Sequence, residues 1–207
     1  MIFDCDGVLV DTELISNTVL AGLLTEAGLP TTFEDCMRDY RGRSIASVLA
    51  LAEQRFGAPL PGDVTARYFE AIEDVFVREL EPVPGVVEAL DRITLPSCVA
   101  SSGPHHKMAV TLRTTGLWDR FEGRIFSATE VAHGKPAPDL FLHAAARMGF
   151  DPAHTAVVED SVPGIEAAVA AGMRALAFVR HTEPEQLAAA GGELFDDMAD
   201  LPGILEA

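Results

Sequence analysis

Residues 155–164 read Thr155-Ala156-Val157-Val158-Glu159-Asp160-Ser161-Val162-Pro163-Gly164. The apolar run at 155–159 predicts a buried strand, and the acidic residues at its end lead into a helical stretch at 164–171. A strand, a polar loop and a helix in this order make up the βα unit from which parallel sheets are built.

The same unit recurs along the second part of the chain. From residue 81 onward, short apolar runs alternate with amphipathic stretches. We predict strands at 97–101, 124–127, 155–159 and 174–178, and helices at 104–115, 139–148, 164–171 and 184–190. This alternation predicts an α/β fold with a doubly wound parallel-sheet (Rossmann-like) core, because each helix is long enough for a right-handed crossover.

Residues 12–80 have a different pattern, with helical periodicity at 14–27, 45–56 and 64–80 and no convincing strand. We therefore predict an α/β core domain from residues 1–11 and 81–207, and an all-helical domain from residues 12–80, inserted after the first strand. We call residues 12–80 the helical insertion. The Pro-rich segment 81–85 connects it back to the core, so two lobes and a cleft follow. The first strand, Met1-Ile2-Phe3, is short for a central strand, and we expect further residues upstream.

Composition narrows the range of partners. The net charge of -17 repels nucleic-acid backbone and anionic lipid, so neither partner is expected. The three cysteines, Cys5, Cys36 and Cys98, are widely spaced, which indicates a reducing compartment. The chain has no apolar run long enough to span a bilayer and no basic region before an apolar one at its start. We expect a cytoplasmic monomer acting on a small molecule.

Polar side chains follow each predicted strand where it ends. These residues are Asp4 and Asp6 after the first strand, Ser101 and Ser102 after the second, Lys135 in the loop after the third, and Glu159 and Asp160 after the fourth. Gly7 and Gly103 stand beside them, and Gly7 lets the chain turn sharply next to a ligand. Because parallel strands end at one edge of the sheet, these groups should converge there. Several carboxylates in one place would repel each other unless a cation such as Mg²⁺ lies among them.

The remaining groups suit a phosphate. Ser101 can donate a hydrogen bond, the amides of Ser102 and Gly103 open a helix, and Lys135 adds positive charge. Because the metal ion and Lys135 screen the negative charges of the carboxylate and the phosphate, Asp4 can attack phosphorus in line and form an acyl phosphate that water hydrolyses. Asp6 then fits the role of proton carrier, first for the leaving alcohol and then for the water. Acidic residues such as Asp160 can also be plain helix caps, and Lys135 can be a solvated loop residue.

The stretch Asp4-Cys5-Asp6-Gly7-Val8-Leu9-Val10-Asp11-Thr12-Glu13 resembles the first motif of the haloacid dehalogenase-like hydrolases. Three later segments resemble the other motifs in order: Val99-Ala100-Ser101, Gly134-Lys135-Pro136, and Val158-Glu159-Asp160-Ser161 with Gly164. The likeness therefore covers the whole chain. Four motifs in order, each in a matching strand context, are much more specific than one.

This resemblance implies a Mg²⁺-dependent phosphatase with Asp4 as nucleophile. It implies that Asp4, the backbone carbonyl of Asp6, and Asp160 bind the metal, with Glu159 behind them or as an occasional ligand. The helical insertion is similar to the family's cap, which closes over the site and contacts the leaving group. We place Glu13, Arg43 and Ser44 of the insertion, and His105 of the core, as candidate specificity residues.

Departures from the family's branches refine the expectation. The dehalogenase branch lacks the second aspartate of the first motif, so the presence of Asp6 at that position disfavours dehalogenation. The chain also resembles the β-phosphoglucomutase branch, but Ser16 and Ile45 stand where that branch has a histidine and an arginine. Residues 98–108 resemble the bacterial 6-phosphogluconate phosphatases of the family. A sugar phosphate or sugar-acid phosphate is thus the expected substrate. A sugar-phosphate mutase and a phospho-acceptor signalling domain remain as alternatives.

Overall fold

The computed structural model describes residues 1–40, 43 and 45–206. These residues form six strands: β1 (Ile2–Phe3), β2 (Cys98–Ser101), β3 (Ile125–Ser127), β4 (Ala156–Glu159), β5 (Arg174–Phe178) and β6 (Glu193–Phe195). They also form eleven α-helices: α1 (Glu13–Glu26), α2 (Phe33–Asp39), α3 (Ile45–Phe56), α4 (Val64–Glu79), α5 (Val86–Arg92), α6 (His105–Thr114), α7 (Trp118–Phe121), α8 (Asp139–Met148), α9 (Val162–Ala170), α10 (Pro184–Ala189) and α11 (Leu201–Glu206).

The strands form one sheet in the order β3-β2-β1-β4-β5-β6, and every neighbouring pair is parallel. The chain builds outward from β1 through β2 to β3, then returns to the other side of β1 for β4. The strand order therefore reverses direction between β1 and β4, which is where ligands bind in open α/β sheets. The predicted doubly wound topology is confirmed.

Helices cover both faces of the sheet. Phe3, Val99 and Val158 pack on one face with apolar side chains of α5, α6 and α11. Ile2 and Val157 point to the opposite face, in a separate cluster with residues of α8 and α9. Neighbouring residues of one strand thus bury their side chains on opposite faces, which explains why the strands are apolar at nearly every position.

The helical insertion packs as helices against helices. Helix α1 lies against α2 and α4, and α3 lies against α4. Where the chain enters and leaves the insertion, its two segments run side by side: the Asp11 N–H donates to Glu81 O at 3.0 Å, and the Val83 N–H donates to Leu9 O at 3.0 Å. Two hydrogen-bonded segments therefore connect the insertion to the core next to the β1 loop.

Several short elements were not predicted. Strand β6 was missed because only Phe195 of its three residues is buried, so no apolar run marks it. Helix α2 has seven residues, too few for a clear period, although its capping box between Thr32 and Asp35 is a usable start signal. Helices α5, α7 and α11 were missed for the same reason of length.

The first strand is even shorter than expected, with two residues. It is stable in the sheet centre because β2 and β4 pair with it on either side, and the Asp4 N–H extends the ladder to Val158 O at 2.9 Å. All three cysteines are buried and free of disulfides. Among the helices in the described ranges, none is long and apolar enough to cross a membrane.

Candidate active site

The predicted site residues meet at the carboxyl ends of the central strands. Asp4 follows β1 directly, Ser101 is the last residue of β2, and Glu159 is the last residue of β4. Because β1 lies between β2 and β4, these three strand ends are neighbours. The convergence expected from the strand order is thus present in the fold.

A buried ion cluster joins Asp4, Lys135 and Glu159. The Lys135 Nζ donates to Asp4 Oδ1 at 2.6 Å and to Glu159 Oε1 at 2.7 Å, although the three residues are far apart in the chain. The side chains of Lys135 and Glu159 are each only 1% exposed. The pKa of Asp4 is raised to about 7: burial is the largest cause and the charges of Glu159 and Asp6 add to it, while the Lys135 charge opposes the rise. Burial lowers the pKa of Lys135, but the charges of Asp4 and Glu159 outweigh burial and hold it above its usual range.

Glu159 is itself fixed by the start of α9. Its Oε2 accepts from the Asp160 N–H, the Ser161 N–H and the Ser161 Oγ, each at 2.8 Å. Gly164 leaves the space for this carboxylate, since a Cβ at that position would lie 1.8 Å from Glu159 Oε1. With both oxygens engaged, Glu159 positions Lys135 against Asp4.

Asp6 lies beside Asp4 with a different set of partners. Its Oδ1 accepts from Lys107 Nζ at 2.7 Å and from Thr12 Oγ1 at 2.6 Å. Burial raises the pKa of Asp6, but the Lys107 charge and the hydrogen bonds from Lys107 and Thr12 outweigh it and lower the pKa below the usual range. Neither Lys107 nor Thr12 was among the predicted site residues.

Asp160 packs against the loop that carries Asp4 and Asp6. It is buried, and a Cβ on Gly7 would lie 2.4 Å from its Oδ2. Gly7 also has a φ of +79°, so a side chain there would be strained as well as obstructed. The Asp160 carbonyl accepts from Thr182 Oγ1 at 2.5 Å. A glycine is needed at position 7 because the carboxylate approaches the backbone so closely.

The segment Ser101–Gly103, which we call the phosphate loop, connects β2 to α6. The Gly103 N–H donates to Ser101 Oγ at 3.1 Å, and the Ser127 Oγ donates to Gly103 O at 2.8 Å. These bonds hold the loop beside Asp6, whose Oδ2 would lie 3.8 Å from a Cβ on Gly103. The loop therefore faces the two aspartates of the first motif.

A cavity of about 510 Å³ lies between the sheet edge and the helical insertion. The core lines it with Asp4, Asp6, Ser101, Ser102, Gly103, Lys107, Lys135, Glu159 and Asp160, and the insertion with Thr12, Glu13, Ser16, Asn17, Tyr40, Arg43, Ile45 and Tyr68, among others. Every predicted core site residue except His105 is thus at one cavity. A volume of this size is typical of small-molecule sites.

The candidate specificity residues differ in whether they line this cavity. Glu13 and Arg43 line the cavity, and the buried Asn17, which was not predicted, donates from Nδ2 to Glu13 Oε2 at 3.0 Å. His105 is not among the described lining residues; its ring lies 2.8 Å from Glu130 Oε1 and is about half exposed. The site at Ser44 lies outside the described residues.

A buried carboxylate bonded to a lysine, beside acidic loops at one edge of a parallel sheet, is an arrangement suited to phosphoryl transfer. The sequence profile of the haloacid dehalogenase-like hydrolases matches residues 1–172, and this chain belongs to that family. The match confirms the predicted family, fold class and enzyme class, a phosphatase.

Named relatives and a solved structure agree with this family. The chain is 28% identical over 206 residues to the 6-phosphogluconate phosphatase of Escherichia coli K12, covering 99% of this chain and 93% of that one. It is 32% identical over 181 residues to hexitol phosphatase B of the same organism, covering 84% and 81%. The crystal structure of a conserved haloacid dehalogenase-like protein of unknown function from Agrobacterium tumefaciens has a TM-score of 0.84 and 38% identity, covering 99% and 96%.

Proposed function

We propose that this chain is a Mg²⁺-dependent phosphatase that hydrolyses a small sugar phosphate or sugar-acid phosphate through a phosphorylated Asp4. The observation that carries the proposal is the Asp4–Lys135 bond at 2.6 Å inside a cavity that also contains Asp6 and the phosphate loop. The ammonium neutralises charge as the anionic phosphate approaches the carboxylate. The named relatives act on phosphorylated metabolites of the proposed kind, 6-phosphogluconate and hexitol phosphates.

Asp4 and Asp6 have distinct proposed roles because their surroundings differ. Asp4 attacks phosphorus, and the bond from phosphorus to the leaving oxygen breaks in line. Asp6, held beside it by Lys107 and Thr12, is ionised before substrate binds and takes up a proton from solvent when the anionic phosphate binds next to it. It gives this proton to the leaving alcohol and then takes one from the water that hydrolyses the acyl phosphate. Ser101, the Ser102 amide and Lys135 bind the phosphate oxygens, and the Gly103 N–H would join them by exchanging its bond to Ser101 Oγ for one to phosphate.

We propose that Mg²⁺ binds to Asp4, the Asp6 carbonyl and Asp160. The donor set fits, since it consists of hard oxygens, and the approach of Asp160 to the Gly7 backbone brings its carboxylate next to the loop of Asp4 and Asp6. In the described part of the chain, no three His, Cys, Asp or Glu side chains form a ready ligand cluster. The proposed site would use two carboxylates and one backbone carbonyl instead. The ion would supply charge neutralisation at the phosphate.

We further propose that residues 12–80 act as a cap over the core of residues 1–11 and 81–207. The support is the paired connection at Asp11 and Glu81, and the cavity that both parts line. Glu13, Asn17 and Arg43 line this cavity and are the proposed contacts to the leaving group. The net charge of -17 disfavours nucleic-acid and anionic-membrane partners, and the buried free cysteines support a cytoplasmic location. We also propose that the protein is a monomer.

The test is hydrolysis of p-nitrophenyl phosphate with and without Mg²⁺. Asp4→Asn should lower kcat by about 1,000-fold or more while the protein melts as before, because the nucleophile is lost and the fold is not. Asp74→Asn, an exposed change on α4, is the matched control and should keep full activity. Normal turnover in Asp4→Asn would overturn the proposal. Turnover that depends on an added sugar bisphosphate would identify a mutase instead.

A further inference from the structure

The chain has only two lysines among its 15 basic Lys and Arg residues, and both are in the cavity. Lys135 bonds to Asp4 and Lys107 bonds to Asp6, so each lysine is paired with one aspartate of the first motif. The role of Lys135 is explained by the nucleophile and the phosphate. Lys107 needs a separate explanation.

Lys107 holds one oxygen of Asp6 and leaves the other free to face the cavity. It lies in the first turn of α6 with a side chain 13% exposed, and it bonds to Asp6 Oδ1 at 2.7 Å. Thr12, at the start of the insertion, bonds to the same oxygen at 2.6 Å. Oδ2 is directed toward the phosphate loop, close to Gly103. Two donors on one oxygen fix the rotation of the carboxylate.

The helical insertion also contacts Lys107. The Lys107 Nζ lies 5.9 Å from the ring centroid of Phe76, a buried residue of α4. On its stem side, Lys107 Cδ would lie 3.4 Å from a Cβ on Gly103. The lysine is therefore confined between the phosphate loop and α4, with its ammonium aimed at Asp6.

A lysine suits this geometry better than an arginine. An ammonium is a compact charge that can bond a single oxygen, whereas the planar guanidinium tends to bridge both oxygens of a carboxylate. A bridged Asp6 would have no oxygen left for the leaving group. The chain uses arginine at every other Lys or Arg position and lysine only in this cavity.

We propose that Lys107 is a positioning residue that, together with Thr12, orients Asp6 so that Oδ2 meets the oxygen of the leaving group. This inference rests on the proposed function, because it assigns Asp6 the proton transfer described above. Lys107 acts through Asp6 and does not itself bind the transferred phosphate. Its loss should therefore affect substrates that need proton donation and spare those that do not.

The experiment compares kcat and KM on p-nitrophenyl phosphate, a good leaving group, and on a sugar phosphate that the wild-type enzyme hydrolyses. Lys107→Met should lower kcat on the sugar phosphate by about 10- to 100-fold and on p-nitrophenyl phosphate by less than about threefold, with KM nearly constant. Asp6→Asn should show the same selectivity. In the double variant, Lys107→Met should add less than about twofold to the loss from Asp6→Asn, because the lysine acts only through that carboxylate.

Arg113→Met is the matched control, since it removes an exposed positive charge from the same helix and should leave both rates unchanged. Equal losses on the two substrates, or losses that multiply in the double variant, would overturn the inference and indicate a direct phosphate contact. Unchanged rates in Lys107→Met would overturn it as well. If that variant does not fold, Lys107→Gln is subject to the same criteria. Should wild-type protein hydrolyse no phosphate ester at all, the proposed function itself fails, which is a distinguishable result.

Discussion

Replacing Gly164 with alanine tests the support of the Lys135–Asp4 pair without changing a charged residue. Gly164 is in the first turn of α9, and its missing side chain leaves room for the Glu159 carboxylate. An alanine Cβ would lie 1.8 Å from Oε1 and 1.9 Å from Cδ of Glu159, where real Cβ contacts are at least 3.0 Å. The carboxylate must therefore move by more than 1 Å.

The magnitude follows from what Glu159 loses. Its Oε2 accepts three bonds of 2.8 Å at the start of α9, and its Oε1 accepts from Lys135 at 2.7 Å. A shift of more than 1 Å takes these contacts out of hydrogen-bond range. Breaking a buried ion pair from one side costs about 3–5 kcal/mol, and we expect Gly164→Ala to lower the free energy of unfolding by about that much. Lys135 then loses one of its two anionic partners, so kcat should fall too.

Urea denaturation with linear extrapolation measures the stability change, and p-nitrophenyl phosphate hydrolysis measures the activity. Gly22→Ala is the matched control: Gly22 is exposed in α1 with nothing within 4 Å of an added Cβ. The free energy of unfolding of that variant should rise by about 0.5–1 kcal/mol, since alanine has a higher helix propensity than glycine. Replacing glycine with alanine should thus stabilise the protein at position 22 and destabilise it at position 164. The reasoning is refuted if Gly164→Ala is as stable and as active as Gly22→Ala.

Two further predictions concern the proposed metal site. Gly7→Ala should raise the Mg²⁺ concentration for half-maximal activity by about tenfold or more, because its Cβ displaces Asp160. Gly116→Ala is the control and should not raise it, since Gly116 has a similar left-handed backbone but open space around it. Equal effects of the two substitutions would contradict this reasoning. Asp4, with its pKa of about 7, carries a proton at lower pH, and Mg²⁺ must displace this proton to bind. Calorimetry should therefore show the apparent Kd for Mg²⁺ rising about tenfold for each pH unit below about 7. A Kd that is constant from about pH 5.5 to 8 would contradict this prediction.

The main strands could be predicted because their buried residues form short apolar runs in the sequence. The run at 174–178 was predicted with the observed bounds, and the runs ending at Ser101 and Glu159 were predicted to within one residue at their starts. Strand β6 could not be predicted, because an edge strand with one buried residue has no apolar signature. Its place is set by pairing with β5, a tertiary contact.

The chain by itself determined the chemical groups of the site, since strand ends in a parallel sheet must share one edge and Asp4, Asp6, Lys135 and Asp160 each follow a strand. Only the tertiary structure decided which cation meets which carboxylate: Lys107, which was not predicted, bonds to Asp6, while His105, two residues earlier, turns to Glu130 instead. Sequence spacing gives the order of residues along a helix but not the direction of each side chain. That direction is set by the packing of α6 against the sheet and α4.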